Sequence, residues 1–247
     1  MRRLLLTLET PAANLALDEA LLDQAETEGG EYLRLWESPR PIVVLGRSSR
    51  VDQEVDVGAC RGRGISILRR ASGGAAIVAG PGCLMYAVVL SYDRRPAAHG
   101  IRQSHTYVLE RLAAAFRHHL PTVAHVGTSD LAFAADAAAA VGGSSVRKFS
   151  GNSLRVKRTH FLYHGTLLYG FDLSLISACL RTPPRQPAYR DERAHANFVV
   201  NVPLSNTEVQ QCVLAAWPAK DELNDWPRAR VEQLVAERYG RNEWNLG

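Results

Sequence analysis

The chain has 247 residues, of which 46% are hydrophobic and 22% are charged, and its formal net charge is +4. These proportions are those of an ordinary globular protein with a sizeable core, and they exclude a disordered or fibrous chain. The arginines are scattered among acidic residues, which argues against nucleic acid as the main partner and leaves a weak preference for an acidic protein partner.

The cysteines and the N-terminus bear on the cellular compartment. Cys60, Cys83, Cys179 and Cys212 form neither a C-x-x-C pair nor a zinc-binding spacing. The N-terminal segment lacks the small-residue cleavage site of a signal peptide, and no apolar stretch approaches the ~18 residues of a membrane span. The sequence therefore predicts a cytoplasmic protein with reduced thiols and no membrane partner.

The first quarter of the chain alternates strand and helix patterns. A strand over 4–9 precedes Thr10 and Pro11, which are typical of a helix N-cap and its first helical position. The helix that follows is expected to end at the glycines 29 and 30. Further elements are expected as strands over 32–37 and 41–46 and a short helix over 52–64.

The remainder contains turn-linked strands and amphipathic helices. Three consecutive strands joined by glycine-bearing turns are predicted first, and a long helix follows them. The small-residue stretch 134–145 indicates a mobile loop or a short helix leading into one. The expected elements are strands over 65–70, 75–79 and 84–92, a helix over 101–119, a hairpin of 147–158 with 159–173, a surface loop over 181–193, and two helices between 207 and 239 separated near Trp217.

This irregular order predicts an α+β fold with a mixed or antiparallel sheet flanked by helices. We expect one domain over residues 1–247. The glycine clusters fit neither the G-x-x-x-x-G-K-[ST] phosphate loop nor the G-x-G-x-x-G dinucleotide motif, so those two nucleotide folds are not expected.

The segment RRASGG contains Arg69, Arg70, Ser72, Gly73 and Gly74. Glycines let backbone N–H groups approach a ligand closely, and successive N–H groups form a concave anion site. Arginine binds phosphate or carboxylate in a bidentate manner. The pattern suits an acyl phosphate or a carboxylate, although a glycine hairpin with two solvated arginines is the simpler alternative.

Two further motifs carry polar groups. Lys148, in RKFSGNS, is one of three lysines in the chain, and its ammonium could act on a carbonyl or phosphate oxygen. An exposed hairpin lysine is the alternative. His160 and His164 are four residues apart, but in a strand this spacing separates them by ~13 Å, so a zinc pair is not expected.

Taken in order, the motifs of this chain resemble the lipoate–protein ligase A family, within the biotin/lipoate ligase superfamily. The resemblance covers almost the whole chain. The segments that carry it are NLALDEALL, LRLWESPRPIVVLGRSS, ILRRASGGAA, SDLAF, RKFSGNSLR, YHGTLLYGFDL and RYGRNEWNLG.

The resemblance implies a catalytic domain that uses ATP and Mg²⁺ to convert lipoic acid to lipoyl-AMP and then acylates a lysine of an acceptor domain. Lys148 would be the catalytic residue, and Asp130 would help to hold the metal. The acceptor would belong to a 2-oxoacid dehydrogenase or a glycine cleavage H-type protein. The implied substrate and adenylate residues are Arg69, Arg70, Ser72, Gly73, Gly74, Ala75, Gly82, Cys83, Gly151, Ser153, His164, Gly165 and Thr166.

The chain departs from the family pattern in the second half of the glycine segment. The family usually continues as S-G-G-G-A-x-x-H-D-x-G-N, whereas this chain has Ala75 at the third glycine and Cys83 at the asparagine. Ala79 and Gly80 stand at the His-Asp positions, which puts the use of ATP in doubt. The chain also stops where a C-terminal accessory domain normally begins, so that domain is expected to be absent or to be a separate subunit.

Three functions therefore remain open from the sequence. The first is a lipoate–protein ligase, and the second is an octanoyl or lipoyl transferase that needs no ATP. In the second, Cys83 could be the nucleophile if Arg69, Arg70 and Lys148 lowered the pKa of its thiol, although a small buried side chain at a strand start is the alternative reading. The third is a non-catalytic acyl-binding protein of the same fold.

Overall fold

The computed structural model describes residues 1–134, 146–182, 188–191 and 193–247. The described strands are β1 (Arg2–Leu5), β2 (Tyr32–Trp36), β3 (Ile42–Leu45), β4 (Ser66–Arg69), β5 (Ile77–Ala79), β6 (Cys83–Ser91), β7 (Val123–Val126), β8 (Asp130–Phe133), β9 (Arg147–Val156), β10 (His160–Leu168) and β11 (Asp221–Glu222). The described helices are α1 (Pro11–Glu28), α2 (Val51–Glu54), α3 (Val57–Gly62), α4 (Ile101–Arg117), α5 (Ser174–Cys179), α6 (His195–Phe198), α7 (Asn206–Ala216), α8 (Arg228–Leu234) and α9 (Asn242–Leu246). Single helical turns lie at Pro96–Ala98, Ala188–Arg190 and Val235–Tyr239.

The strands form a large sheet and a small one. The large sheet has the order β11-β1-β2-β6-β10-β9-β8-β7, and the small sheet has the order β4-β3-β5. The pairs β1–β2 and β3–β4 are parallel, whereas β2–β6, β6–β10, β10–β9, β9–β8 and β3–β5 are antiparallel. A mixed sheet flanked by helices is an α+β architecture, and the predicted fold class is confirmed.

Apolar side chains cover both faces of the large sheet. One core packs α1 and the small sheet against β2, β6 and β10. The second core packs α4 and α7 against the opposite face. Both β6 and β10 are buried along their whole lengths, and the sequence of β6 is accordingly a nearly continuous apolar run, whereas β10 also carries His160, His164 and Thr166.

The ends of α1 follow from its sequence. The Thr10 side chain accepts a hydrogen bond from the Ala13 amide, and Pro11 occupies the first turn, where its missing N–H costs nothing. Gly29 ends the helix with φ +78°, a conformation that favours glycine. The predicted cap, first turn and end of this helix are confirmed.

The predicted hairpin of 147–158 with 159–173 is also confirmed as β9 and β10. Ser153 pairs with His164, and Asp130 of β8 pairs with Gly151 on the other side of β9. These pairings bring three separate sequence motifs to one part of the large sheet.

Several predicted elements differ from the observed ones. The first strand covers Arg2–Leu5 instead of 4–9. The single helix over 52–64 is two helices, because Val55 is extended and bridges to Leu180, after which Asp56 caps α3. Strands β4 and β5 are not neighbours, since β3 lies between them, and β6 joins the other sheet.

Sequence analysis missed the short elements β7, β8, β11, α5, α6 and α9. The predicted loop 134–145 lies, apart from its first residue, outside the described residues, and 181–193 is described only in part. Among the described residues, no helix has the length and apolar character needed to cross a membrane.

Candidate active site

A cavity of about 390 Å³ lies between the glycine segment, α1 and strands β9 and β10. Many of the predicted site residues line it: Arg70, Gly74, Ala75, Asp130, Lys148, Gly151, Ser153, His164, Gly165 and Thr166. Sequence analysis missed the other lining residues, which are Leu15, Val44, Ala76, Ile77, Met85, Thr128, Ser129 and Asn152. The topology therefore gathers four separate motifs around one cavity.

Residues 72–75, here called the glycine loop, have their carbonyl groups held by neighbouring residues, two of which, Arg70 and Ser153, line the cavity. The Arg47 amide donates to the Ser72 carbonyl at 2.8 Å, and the Ser49 hydroxyl donates to the Gly74 carbonyl at 3.1 Å. The Ser153 hydroxyl donates to the Gly73 carbonyl at 2.7 Å. In the part of the chain that the structure describes, the amides of 72–75 donate to no protein acceptor.

A trans peptide places the N–H on the side opposite to the preceding carbonyl. Because the carbonyls of 72–74 are held by neighbouring groups, the amides of 73–75 point away from those groups. Gly74 has φ +88°, which a glycine adopts without strain. In the described residues the amides of 73–75 are thus left without a protein acceptor, which is the property that a backbone anion site requires.

Arg70 builds this loop and is not free to bind a ligand in the expected bidentate manner. Its guanidinium donates to the carbonyls of Val44, Gly73 and Ala75, and its Nε also donates to the Ser72 hydroxyl. Burial lowers the pKa of Arg70 to about 10, and the charge of Glu54 partly offsets that effect. Arg70 thus shapes the loop and also lines the cavity, and its predicted contact with a substrate stays a prediction.

Arg69 lies outside the cavity lining. Its guanidinium donates to the carbonyls of Gly46 and Ser49 on one side and to those of Trp244 and Gly247 on the other. These bonds tie the segment after β3 to α9. The predicted contact of Arg69 with an acyl or phosphate group is therefore replaced by a structural clamp.

Lys148 reaches the cavity from β9 and pairs with Asp130. The distance from Lys148 Nζ to Asp130 Oδ1 is 2.7 Å, and the Lys148 side chain is 26% exposed. The Tyr189 hydroxyl donates to Asp130 Oδ2. Burial and the charge of Asp130 raise the pKa of Tyr189, which keeps this phenol a hydrogen-bond donor.

Asp130 does not fit the predicted role of magnesium ligand in this arrangement. Both of its carboxylate oxygens already accept from Lys148 and Tyr189. Within the described ranges, no cluster of three or more His, Cys, Asp or Glu side chains could hold a metal ion. Asp130 instead holds Lys148 in place.

The HGT segment of β10 forms the inner wall. His164 Nε2 lies 2.6 Å from the Ser72 hydroxyl oxygen, so the wall contacts the glycine loop. A side chain at Gly165 would overlap the Asn152 side chain, and Asn152 in turn donates to the Ser129 carbonyl at 2.8 Å. His160, the other histidine of this strand, has different partners from His164. Its Nδ1 bonds to the Thr159 hydroxyl and lies 3.7 Å from the Glu26 carboxylate.

A second cavity of about 160 Å³ adjoins the first. The two share Ala75, Ala76, Ile77, Lys148, Gly151 and Thr166. The second cavity has a largely apolar wall that includes Phe198, together with Arg190 and His195. Burial and the charges of Arg190 and Lys148 lower the pKa of His195 to about 4, so its imidazole is neutral near pH 7. Lys148 therefore lies where two cavities meet.

Gly82 and Cys83 line neither cavity. Gly82 has φ +84° in the turn before β6, where a side chain would overlap Gly170. Cys83 is fully buried at the start of β6, and burial together with the Glu37 charge raises the pKa of its thiol to about 12. The expectation that nearby cations activate this thiol is wrong, because the thiol lies in the apolar core.

The other three cysteines are equally remote. All four cysteines are described and buried, and none lines either cavity.

Two predicted residues of the glycine loop, Ser72 and Gly73, also lie outside the lining of the larger cavity.

The missed lining residues left weak signals in the sequence. Leu15 lies in the NLALDEALL motif, and Thr128 and Ser129 directly precede Asp130. Val44 and Met85 are core residues of strands by pattern, and only the packing of the two sheets exposes them to the cavity.

The fold and the cavity are those of a lipoyl protein ligase A/B catalytic domain. A sequence profile described as the lipoyl protein ligase A/B catalytic domain matches residues 10–215, and the chain belongs to this family. The family includes lipoate–protein ligases and octanoyltransferases.

Similar proteins of both kinds are known. The chain is 25% identical to lipoate–protein ligase A subunit 1 of Thermoplasma acidophilum, over 98% of this chain and 96% of that one. It is 28% identical to octanoyltransferase LipM of Kyrpidia tusciae, over 95% and 94%. A solved structure of a bipartite lipoate–protein ligase from Thermoplasma acidophilum has a TM-score of 0.83 and 24% identity, covering 100% of this chain and 96% of the other, which supports the fold.

Proposed function

We propose that this protein is a lipoate–protein ligase that activates lipoic acid with ATP and transfers the lipoyl group to a lysine of an acceptor domain. The observation that carries the proposal is the position of Lys148. Its ammonium stands where two cavities meet, and no cysteine sulfur lines either of them. Lipoic acid in one cavity and ATP in the other would thus both reach the Lys148 ammonium. No protein thiol is available there to carry the acyl group.

The larger cavity suits the acyl chain. Leu15, Val44 and Met85 give it apolar walls, and the HGT segment forms its inner side. The smaller cavity, with its largely apolar wall near Phe198, suits the adenine ring. This assignment places the carboxylate of the acid and the α-phosphate of ATP next to Lys148.

The chemistry follows from this placement. A carboxylate oxygen of lipoic acid attacks the α-phosphorus of ATP, the bond to the β-phosphate oxygen breaks, and pyrophosphate leaves. Lys148 and the amides of 73–75 stabilise the negative charge that develops on the phosphoryl oxygens. The neutral amine of the acceptor lysine then attacks the acyl carbonyl, AMP leaves, and the amine loses a proton. Magnesium enters this proposal only as the counter-ion that ATP brings with its phosphates.

The departures from the family pattern lie mostly away from the cavities. Ala79 is buried in β5, and neither Ala79 nor Gly80 lines a cavity. Of these departures, only Ala75, which replaces the third glycine of the family pattern, lines both cavities. The loss of the His-Asp pair therefore weighs less against ATP than the sequence suggested.

Transfer of an octanoyl or lipoyl group from a carrier thioester is the second candidate. The match to octanoyltransferases at the same level of identity favours it. The burial of Cys83 argues against the version with that nucleophile. A direct attack of the acceptor lysine on a carrier thioester needs no protein thiol and is the form that competes with the ligase.

The proposed partners follow from the ligase function. The acceptor is a lipoyl domain of a 2-oxoacid dehydrogenase or a glycine cleavage H-type protein. A separate accessory chain is also proposed, since the Thermoplasma acidophilum relative is described as bipartite and was studied with its E2 lipoyl domain.

A two-donor assay tests the proposal. An acceptor lipoyl domain is incubated with the protein and either lipoate with Mg-ATP or octanoyl carrier protein, and the mass of the acceptor is measured. The ligase predicts addition of one lipoyl group only when ATP is present. Acylation from the carrier alone would overturn the ligase in favour of the transferase.

A further inference from the structure

Behind the cavity wall lies a series of buried hydrogen bonds that the proposed chemistry does not use directly. His164 Nδ1 lies 3.2 Å from Asp18 Oδ2, and Asp18 Oδ1 lies 2.6 Å from Arg34 Nη1. With the 2.6 Å contact between Ser72 and His164, the series joins the glycine loop, β10, α1 and β2. All four residues are less than 9% exposed.

The direction of each hydrogen bond can be deduced from the charged end. Burial raises the pKa of Asp18, but Arg34 and His164 outweigh it and hold that pKa below its ordinary value. An ionised Asp18 can only accept, so His164 Nδ1 donates to it. In the tautomer with its proton on Nδ1, Nε2 then accepts a hydrogen bond from the Ser72 hydroxyl.

This orientation also fits the other neighbour of Ser72. Arg70 Nε donates to the Ser72 oxygen at 3.1 Å, so the hydroxyl accepts on one side and donates to His164 on the other. Among these residues, His164 and Arg70 line the cavity, whereas Asp18 and Arg34 do not. Asp18 therefore reaches a bound substrate through His164 and the loop, and Arg34 also holds Asn14, which precedes the lining residue Leu15.

We propose that Asp18 and Arg34 are positioning residues that act through His164 and Ser72 to hold the glycine loop with its amides directed at the reacting phosphate. The inference rests on the proposed function, because it assigns the loop to charge stabilisation. Gly73 and Gly74 have intrinsic backbone freedom, and the Ser72 hydroxyl adds a side-chain anchor to the bonds that hold their carbonyls. A displacement of about 1 Å in such a group can cost on the order of 100-fold in rate.

The kinetic test uses two variants that interrupt the series at different points. Ser72→Ala removes the hydroxyl and leaves the Asp18–Arg34 pair intact. Asp18→Asn combined with Arg34→Met removes both buried charges together, because a lone Arg34 would be strongly destabilising. Ser104→Ala is the matched control, since its buried hydroxyl also donates a hydrogen bond, to the Ala98 carbonyl at 2.7 Å, and Ser104 lines neither cavity.

We expect each interruption to lower kcat about 10- to 100-fold with the acyl donor that the wild-type protein accepts, while KM for that donor changes less than about threefold. The variant that combines Ser72→Ala with Asp18→Asn and Arg34→Met should lose no more kcat than the more impaired of the two separate variants. Both interruptions act on the same series of hydrogen bonds, so their effects should not add. Fully additive losses, or a loss as large in Ser104→Ala, would overturn the inference. Since the readout uses whichever donor is accepted, a failure of ATP chemistry would overturn only the ligase assignment.

A spectroscopic readout tests the series without any activity. A His164 Nδ1 proton shared with a carboxylate should give a strongly downfield ¹H resonance, assigned by its loss in His164→Gln. The resonance should persist in Ser72→Ala and disappear in the Asp18→Asn, Arg34→Met variant. Its absence from the wild-type spectrum, or its survival in the double variant, would overturn the inference.

Discussion

Lys148 and Asp130 face each other at the meeting point of two cavities, with Nζ 2.7 Å from Oδ1. The pair joins β9 to β8, two strands that the sequence separates by residues 134–146. Asp130 is held in turn by the Tyr189 hydroxyl, so the carboxylate fixes the direction of the ammonium. This relationship converts a predicted metal ligand into a residue that orients the proposed catalytic lysine.

Replacement of Lys148 by alanine should remove the main positive charge at the site. We expect lipoate activation to fall at least about 10²- to 10³-fold, the usual loss when one charge-stabilising group is deleted, while the fold persists. Lys157→Ala is the matched control, because Lys157 Nζ pairs with Asp23 at 2.6 Å, its side chain is 32% exposed, and it lines a different pocket. Activity near the wild-type rate in Lys148→Ala, with circular dichroism unchanged, would contradict the assignment.

Replacement of Cys83 by alanine should leave activity within about twofold of wild type. The thiol is buried at the start of β6, and its raised pKa keeps it protonated at neutral pH. The expected effect is a loss of stability of roughly 1 kcal/mol, as for other small core truncations. Urea unfolding and acyl-transfer rates measure the two effects, and an inactive but folded variant would restore the thiol mechanism.

Replacement of Gly46, the residue after β3, by alanine should displace the glycine loop. An added Cβ at this position would overlap the Gly74 carbonyl oxygen, so the loop must move. We expect both stability and activity to fall, with a stability loss of about 1–3 kcal/mol. Gly62→Ala is the control, because its Cβ would meet open space at the end of α3. Equal behaviour of the two variants would show that the loop position is not critical.

Acid should destabilise the protein partly through His105. Burial lowers its pKa from 6.5 to about 4, so the unfolded chain binds a proton more readily than the folded one. The stabilisation is fully present above pH 6.5 and is lost as the pH falls towards 4, by up to about 3 kcal/mol. In His105→Gln, urea midpoints between pH 7 and 4 should fall less steeply than in wild type. Parallel curves would show that His105 does not contribute.

The fold could be predicted where local patterns dominate. Thr10 and Pro11 mark the start of α1, and the apolar periodicities mark β9 and β10. Strands β7 and β8 have only four residues each, and their stability comes from pairing with β9, which no local pattern reports. Tertiary pairing also separates β4 from β5 by inserting β3.

The site residues also divide into those that local patterns predict and those that depend on tertiary packing. The motifs around Lys148 and His164 predicted cavity residues correctly by position, because the hairpin β9–β10 is a local structure. Arg69 lies outside the cavity lining, since a guanidinium suited to phosphate is equally suited to a cluster of backbone carbonyls. Which of these it meets depends on the packing of α9 and β3, as the contacts of Arg69 illustrate.

Replacement of Gly73 by valine should act on ligand binding rather than on stability. An added Cβ at Gly73 meets no protein atom within 4 Å, but it would keep a ligand from approaching the backbone closely. The structure therefore predicts little loss of stability for that variant, and any effect should appear in ligand binding. Calorimetry with lipoate and ATP separates the two.

Lipoate-dependent exchange of pyrophosphate into ATP measures the central claim most directly. The purified chain is mixed with lipoate, Mg-ATP and labelled pyrophosphate, with Lys148→Ala and a mixture lacking lipoate alongside. The account predicts exchange by the wild-type protein only when lipoate is present, and its loss in Lys148→Ala. No exchange above the lipoate-free mixture, together with acylation of an acceptor from a carrier thioester, would contradict it.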